Sequence, residues 1–184
     1  MTLPRELFLT SEDLLIQKPV KELKNLRDEH THMENQPLAP HRDILADLQG
    51  TSCEIIAEFE FQAAKEFGIK VFKSDQTETV IGYDAEKEEM YIDRRNSGET
   101  SFNEFFPSLD RASVKAPHQR IKFHILIDRS SIEVFANDGD TAITNLVFPD
   151  STGRGLELFS NGGTATLIFL DFYQLKSLSD YPYE

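Results

Sequence analysis

The sequence predicts an all-β fold, a two-sheet antiparallel β-sandwich, with an extended and short helical connector ahead of it. Three observations lead there. From residue 51 onward apolar residues recur with period two over one short stretch after another, each stretch ends in a turn bearing Gly, Asn or Asp, and no segment shows the apolar repeat of a long helix. About nine short strands without a long helix can bury their apolar faces by packing one antiparallel sheet on another. Fourteen Phe and no Trp suit that core, because Phe needs no hydrogen-bond partner when buried and an indole N–H does.

Residues 1–50 differ in texture and read as a connector. They hold Pro4, Pro19, Pro37 and Pro40, three of the five His (His30, His32 and His41) and only short apolar runs. Pro19 suits the first turn of a helix, where its missing N–H costs little, and Val20, Leu23 and Leu26 then share one side of a two-turn helix ending near Arg27. So short a helix needs a surface to lie on.

The sandwich is assigned to residues 51–184. Cys53, Ile55, Ala57, Phe59 and Phe61 alternate with positions that include Glu54, Glu58 and Glu60, so the first long strand has one apolar face and one wet face. Strands follow over 68–72, 78–83 and 89–93, the last two joined by the charged turn at 84–88. Residues 94–119, with Gly98, Pro107 and Pro117, form a long polar connection that carries Phe102, Phe105 and Phe106, as a loop covering a core edge would. Ile121, Phe123, Ile125 and Ile127 then alternate with Lys122, His124 and Leu126. Turn formers interrupt at 128–131, Ile132, Val134 and Ala136 resume the alternation, and Asn137-Asp138-Gly139 supplies residues that tolerate positive φ in a second hairpin turn. Strands near 141–148, 155–160 and 164–175 complete the pattern. Gly153, Gly155, Gly162 and Gly163 serve hairpin geometry rather than phosphate binding, since no helix follows them.

Composition excludes several partners. Nineteen Lys and Arg against 32 Asp and Glu give a net charge of -13, which repels nucleic acid and anionic lipid surfaces. No apolar run approaches the ~18 residues of a membrane span. The opening Met1-Thr-Leu-Pro-Arg-Glu6 lacks the basic and apolar regions of a signal peptide, and the single Cys53 cannot form an internal disulfide; both fit a reducing, cytoplasmic setting. If the chain is the tail of a longer enzyme, its first residue says nothing about export of the parent.

The search for chemistry yields four candidate sets. Asp128 and Glu133 flank a tight turn, where capping and surface pairing explain them better than a catalytic carboxylate pair. His30 and His32, with His41 nearby, have the residue type of metal ligands but the setting of a solvated connector, so no metal site is expected. His118 and His124 stand in strand or turn contexts, and no Gly-x-Ser-x-Gly elbow accompanies them. Tyr83 and Tyr91, near the ends of adjacent strands, could offer rings to a sugar, with Arg94 and Arg95 adding hydrogen bonds; sheet packing is the competing explanation.

Five segments carry a family resemblance: Leu3-Pro-Arg-Glu-Leu7 with 17–27, Cys53 to Phe59, Tyr91 to Gly98, Ile127 to Gly139, and Leu156 to Gly163. In order and spacing they resemble the C-terminal module of the family thirty-two glycoside hydrolases, which includes invertases, sucrose-6-phosphate hydrolases, levanases and inulinases. The resemblance spans nearly the whole chain and implies a concanavalin- or jelly-roll-like sandwich that follows a five-bladed catalytic propeller. It also implies where catalysis is not. The family's nucleophile lies in Asn-Asp-Pro-Asn, its transition-state stabiliser in Arg-Asp-Pro and its acid/base in Glu-Cys, all on the propeller. Here Asn137-Asp138 precedes Gly139, Arg42-Asp43 precedes Ile44, and Cys53-Glu54 runs in reverse order. No catalytic residue, metal ligand or cofactor is therefore expected in this chain, and its substrate-binding residues stay unassigned.

On that resemblance the expected role is a non-catalytic module that stabilises the propeller of a β-fructofuranosidase-type hydrolase, with self-association as an added role. The parent would act on sucrose, sucrose 6-phosphate or fructans with retention of configuration. The alternative is a lectin-like module that binds fructan, against which the missing Trp counts.

Overall fold

The structure, a computed structural model, describes residues 2–39 and 43–176. In chain order its strands are β1 (Arg5–Leu9), β2 (Leu15–Pro19), β3 (Arg27–Pro37), β4 (Ser52–Phe61), β5 (Glu66–Lys73), β6 (Thr79–Asp84), β7 (Glu89–Asp93), β8 (Leu109–Ser113), β9 (Arg120–Asp128), β10 (Ser131–Ala136), β11 (Thr141–Leu146), β12 (Gly155–Asn161) and β13 (Ala165–Leu175). β1 and β2 pair as a separate hairpin. A six-stranded sheet runs β11-β10-β9-β4-β13-β3 and a five-stranded sheet runs β12-β5-β6-β7-β8, with every pairing antiparallel.

The period-two pattern sets which side chains meet between the sheets. From the larger sheet Cys53, Ile55, Ala57 and Phe59 of β4 join Ile121, Phe123, Ile125 and Ile127 of β9 and Ile132, Val134 and Ala136 of β10. Phe67, Ile69, Val71, Ile81, Tyr83, Met90 and Ile92 face them from the smaller sheet. Phe59 is the pivot, with ring centroids 5.5 Å from Phe67 and 6.1 Å from Phe123 in tilted and edge-on contacts. Each such Phe contributes roughly 1.5–3 kcal/mol by burial. Cys53 belongs to this core; burial pushes its thiol up to about 12, which makes it inert at neutral pH.

The turn expected at 137–139 forms, with φ of 46° at Asn137, 60° at Asp138 and 106° at Gly139. Four features differ from the sequence reading. The expected two-turn helix is a 3-10 helix over Lys21–Leu26. The polar stretch after it is the eleven-residue strand β3, bonded along β13. Leu38 and Leu45 are 7% and 0% exposed and plug the core, so residues 27–39 and 43–50 pack with the sandwich rather than connect to it. The long connection at 94–119 contains β8, which pairs with β7. β3 and β8 both lie at sheet edges, where side chains are half-exposed and no apolar alternation marks them.

Candidate functional site

The outward face of the six-stranded sheet carries the residues that alternate with the core: Glu54 of β4, Lys122 and His124 of β9, Glu133 and Phe135 of β10, and Asp171 and Tyr173 of β13. The sequence presents this as the wet face. The structure instead covers part of it with a strap made of the β1–β2 hairpin and the 3-10 helix, leaving Glu54 and Glu133 only 2% and 1% exposed.

Two arginines, Arg5 on the strap and Arg27 at the start of β3, neutralise the two buried carboxylates. Arg5, on β1, donates from Nε (3.2 Å) and Nη2 (2.5 Å) to Glu133 Oε2, and its Nη1 donates to Gln17 on the other arm of the hairpin at 3.0 Å. The Leu3 N–H donates to the second oxygen of Glu133, and the Arg5 guanidinium lies 4.8 Å from the Phe135 ring. Arg27, at the start of β3, donates from Nε to Glu54 Oε2 at 2.6 Å and from Nη2 to Oε1 at 2.7 Å, while His124 Nε2 lies 2.6 Å from the same Oε1. Burial opposes ionisation of Glu54, yet hydrogen bonds from Arg27 and His124 outweigh it and hold the carboxyl down at about 2. Between strap and sheet runs a groove of about 430 Å³ that reaches Phe8, Lys18, Leu23, Glu54, His124 and Phe135.

The hairpin also carries exposed apolar side chains. Thr10 shapes its tip by accepting from the Glu12 and Leu14 N–H groups. Leu7, Phe8, Leu9, Leu14 and Leu15 are 47–69% exposed. Gly139 presses on the hairpin's inner side, where a Cβ would fall 2.1 Å from the Gln17 carbonyl oxygen. A second apolar surface flanks β11. Phe102, Phe106 and Phe148 cluster with centroids 4.6–5.5 Å apart, Arg94 lies 4.3 Å over Phe106, and Phe105 beside them is 82% exposed. Large apolar groups thus stand open to solvent at both surfaces.

The candidates that the sequence offered meet different fates. Asp128 is exposed at its turn, and Glu133 is occupied by Arg5, so the two form no acid and nucleophile pair. A general acid needs a raised pKa, and the shift of Glu54 runs the other way. Tyr83 points into the core and donates to the Val114 carbonyl at 3.1 Å, and burial raises its pKa to about 12. Tyr91 is 7% exposed, its ring laid on Gly82 under Arg111. Arg94 bonds Ser108 and the Leu146 carbonyl, and Arg95 pairs with Asp93. These four residues thus offer no platform to a sugar; the parity of Tyr83 with Ile81 already signalled its inward direction. His41 and Arg42 lie outside the described residues. His30 and His32 stand on the outward face of β3 with Asp171 between them. The Arg5–Glu133 and Arg27–Glu54 pairs left no signal in the sequence, since each joins residues distant along the chain.

Comparison with known proteins agrees with this architecture. The chain is 36% identical over 184 residues to a levanase of Bacillus subtilis, covering 96% of this chain and 27% of that protein. It is 34% identical over 188 residues to a levanase of Bacillus sp. strain L7, covering 97% of this chain and 20% of that protein. The crystal structure of exo-inulinase from Aspergillus awamori superposes with a TM-score of 0.83 at 26% identity, over 96% of this chain and 36% of that one. The chain thus spans about a fifth to a third of the length of these relatives. With the family model described as glycosyl hydrolases family 32 C terminal matching residues 22–174, this chain belongs to that family.

Proposed function

We propose that this chain is the non-catalytic C-terminal module of a hydrolase that releases fructosyl units from fructans or sucrose-type sugars, and that it docks on the catalytic domain through the β1–β2 hairpin and the Phe102–Phe106 surface. The observation that carries the reading is the strap itself. Five large apolar side chains of the hairpin are exposed while the buried Arg5–Glu133 pair fastens the same segment to the sheet. Such a segment is held to the sandwich yet leaves apolar surface uncovered, as half of an interdomain contact does. Residues 2–26 then form the interdomain strap and 27–176 the sandwich.

The relatives' names favour a fructan as the parent's substrate, and a five-bladed propeller is the expected partner. Fructosyl transfer with retention needs two carboxyl groups about 5–5.5 Å apart, which the propeller would supply. The 184-residue chain alone is inactive on this reading.

The test is to mix this chain with a separately produced catalytic domain of the parent enzyme and follow co-elution by gel filtration. Co-elution that is lost with Leu7→Asp and Phe105→Asp supports the reading. A stable, fully active catalytic domain that ignores the module overturns it, as does hydrolysis of levan or sucrose by the module alone.

A further inference from the structure

β3 is bonded along one side only among the described residues, to β13. His30 and His32 stand two residues apart on it, so the pleat directs both imidazoles to the outward face. The register sets Asp171 of β13 opposite His32 and Tyr173 opposite His30. Asp171 Oδ1 consequently lies 2.8 Å from His30 Nε2 and 2.8 Å from His32 Nδ1. One ligand atom from each of the three side chains falls within 4.8 Å of the others.

We propose that His30, His32 and Asp171 bind a divalent transition-metal ion of the zinc type, with Glu34 as the positioning residue behind His32. Ligands bonded at about 2.0–2.1 Å in a tetrahedral arrangement stand about 3.3 Å apart, so shifts of about an ångström suffice to admit the ion. The side chains have room to make them, being 43%, 42% and 22% exposed. Two imidazoles and one carboxylate suit zinc rather than calcium or magnesium, which take oxygen ligands. The fourth position faces outward and is open to water or to a ligand from another molecule.

The surroundings are those of a built site. Glu34 Oε1 lies 3.0 Å from His32 Nε2, so the carboxylate accepts that N–H and leaves Nδ1 to the ion, the arrangement that fixes the tautomer of metal-bound histidines. Tyr173 stacks on His30 at 4.3 Å with 8° between the planes, and Arg27 lies 4.0 Å from the Tyr173 ring, which restrains His30. A bound ion would clip the edge strand β3 to β13 at its middle, next to the Arg27–Glu54 pair.

The test is calorimetric titration of the 184-residue chain with zinc chloride, beside His32→Ala, Asp171→Asn and, as a control, His118→Asn at the exposed turn His. One equivalent is expected for the unsubstituted chain and the control, with affinity weakened about tenfold or more in the other two. Long-range nitrogen NMR should place the zinc-induced shift on His30 Nε2 and His32 Nδ1 and needs no variant to fold. Zinc shifting neither nitrogen, or equal affinity in His32→Ala, overturns the site and leaves two histidines that share a carboxylate through protons alone. For Glu34, Glu34→Ala should weaken zinc binding or move the shift to His32 Nε2; neither change removes Glu34 from its role.

Discussion

Arg27 and Glu54 meet fork to fork, two parallel hydrogen bonds of 2.6 and 2.7 Å joining the first residue of β3 to the third residue of β4 across the end of β13. β3 and β4 are not neighbours in the sheet; β13 runs between them. The pair therefore ties three strands, and Arg27 lies over Tyr173 of the middle one at 4.0 Å. Removing the arginine leaves Glu54 buried with only His124 to stabilise its charge. Arg27→Ala is expected to destabilise the chain by about 3 kcal/mol, measured by urea denaturation, and Arg27→Ala with Glu54→Leu should recover much of that loss.

The same pair predicts an acid dependence. Glu54 has a folded pKa lowered to about 2 from an ordinary value of 4.5, so its stabilisation is fully present above 4.5 and is lost as pH falls toward 2. The loss over that window is on the order of 3 kcal/mol. Stability of the unsubstituted chain and of Glu54→Gln, compared by denaturant unfolding between neutral pH and pH 2, should converge at the acid end. A gap that stays constant with pH would show that Glu54 stabilises by shape alone.

Gly139 is the bearing on which the strap rests. Its φ of +106° disfavours side chains, and a Cβ there would meet the Gln17 carbonyl at 2.1 Å. Gly139→Ala should cost about 1–3 kcal/mol and lift the hairpin, read as faster proteolytic cleavage within residues 5–19 while the sandwich stays intact.

Phe105, 82% exposed, should be indifferent to folding and important for association. Phe105→Ser is expected to leave the unfolding free energy within about 0.5 kcal/mol and to reduce self-association of the isolated module in sedimentation at high concentration. Loss of stability instead would place Phe105 in the core edge it borders.

Because the rings of Tyr83 and Tyr91 are covered, the chain should migrate unretarded through gels containing levan or inulin. Retardation abolished by a substitution on the outward face would revive a sugar-binding role.

Sequence alone determined the layers of this protein. Wherever a strand has one buried face, as in β4, β9 and β10, apolar residues recur at every second position because burial on one side of a pleat demands it, and the turn at 137–139 announced itself through residues that accept positive φ. Only the tertiary structure decided what happens at edges and on the outward face. β3 and β8 contribute few buried side chains, so burial left no periodic mark on them. The inversion of Glu54 and Glu133 from wet to buried, and the meeting of His30, His32 and Asp171, depend on register and on a strap folded back over the sheet. These contacts join residues up to 141 positions apart, and a local pattern cannot encode a partner that distant.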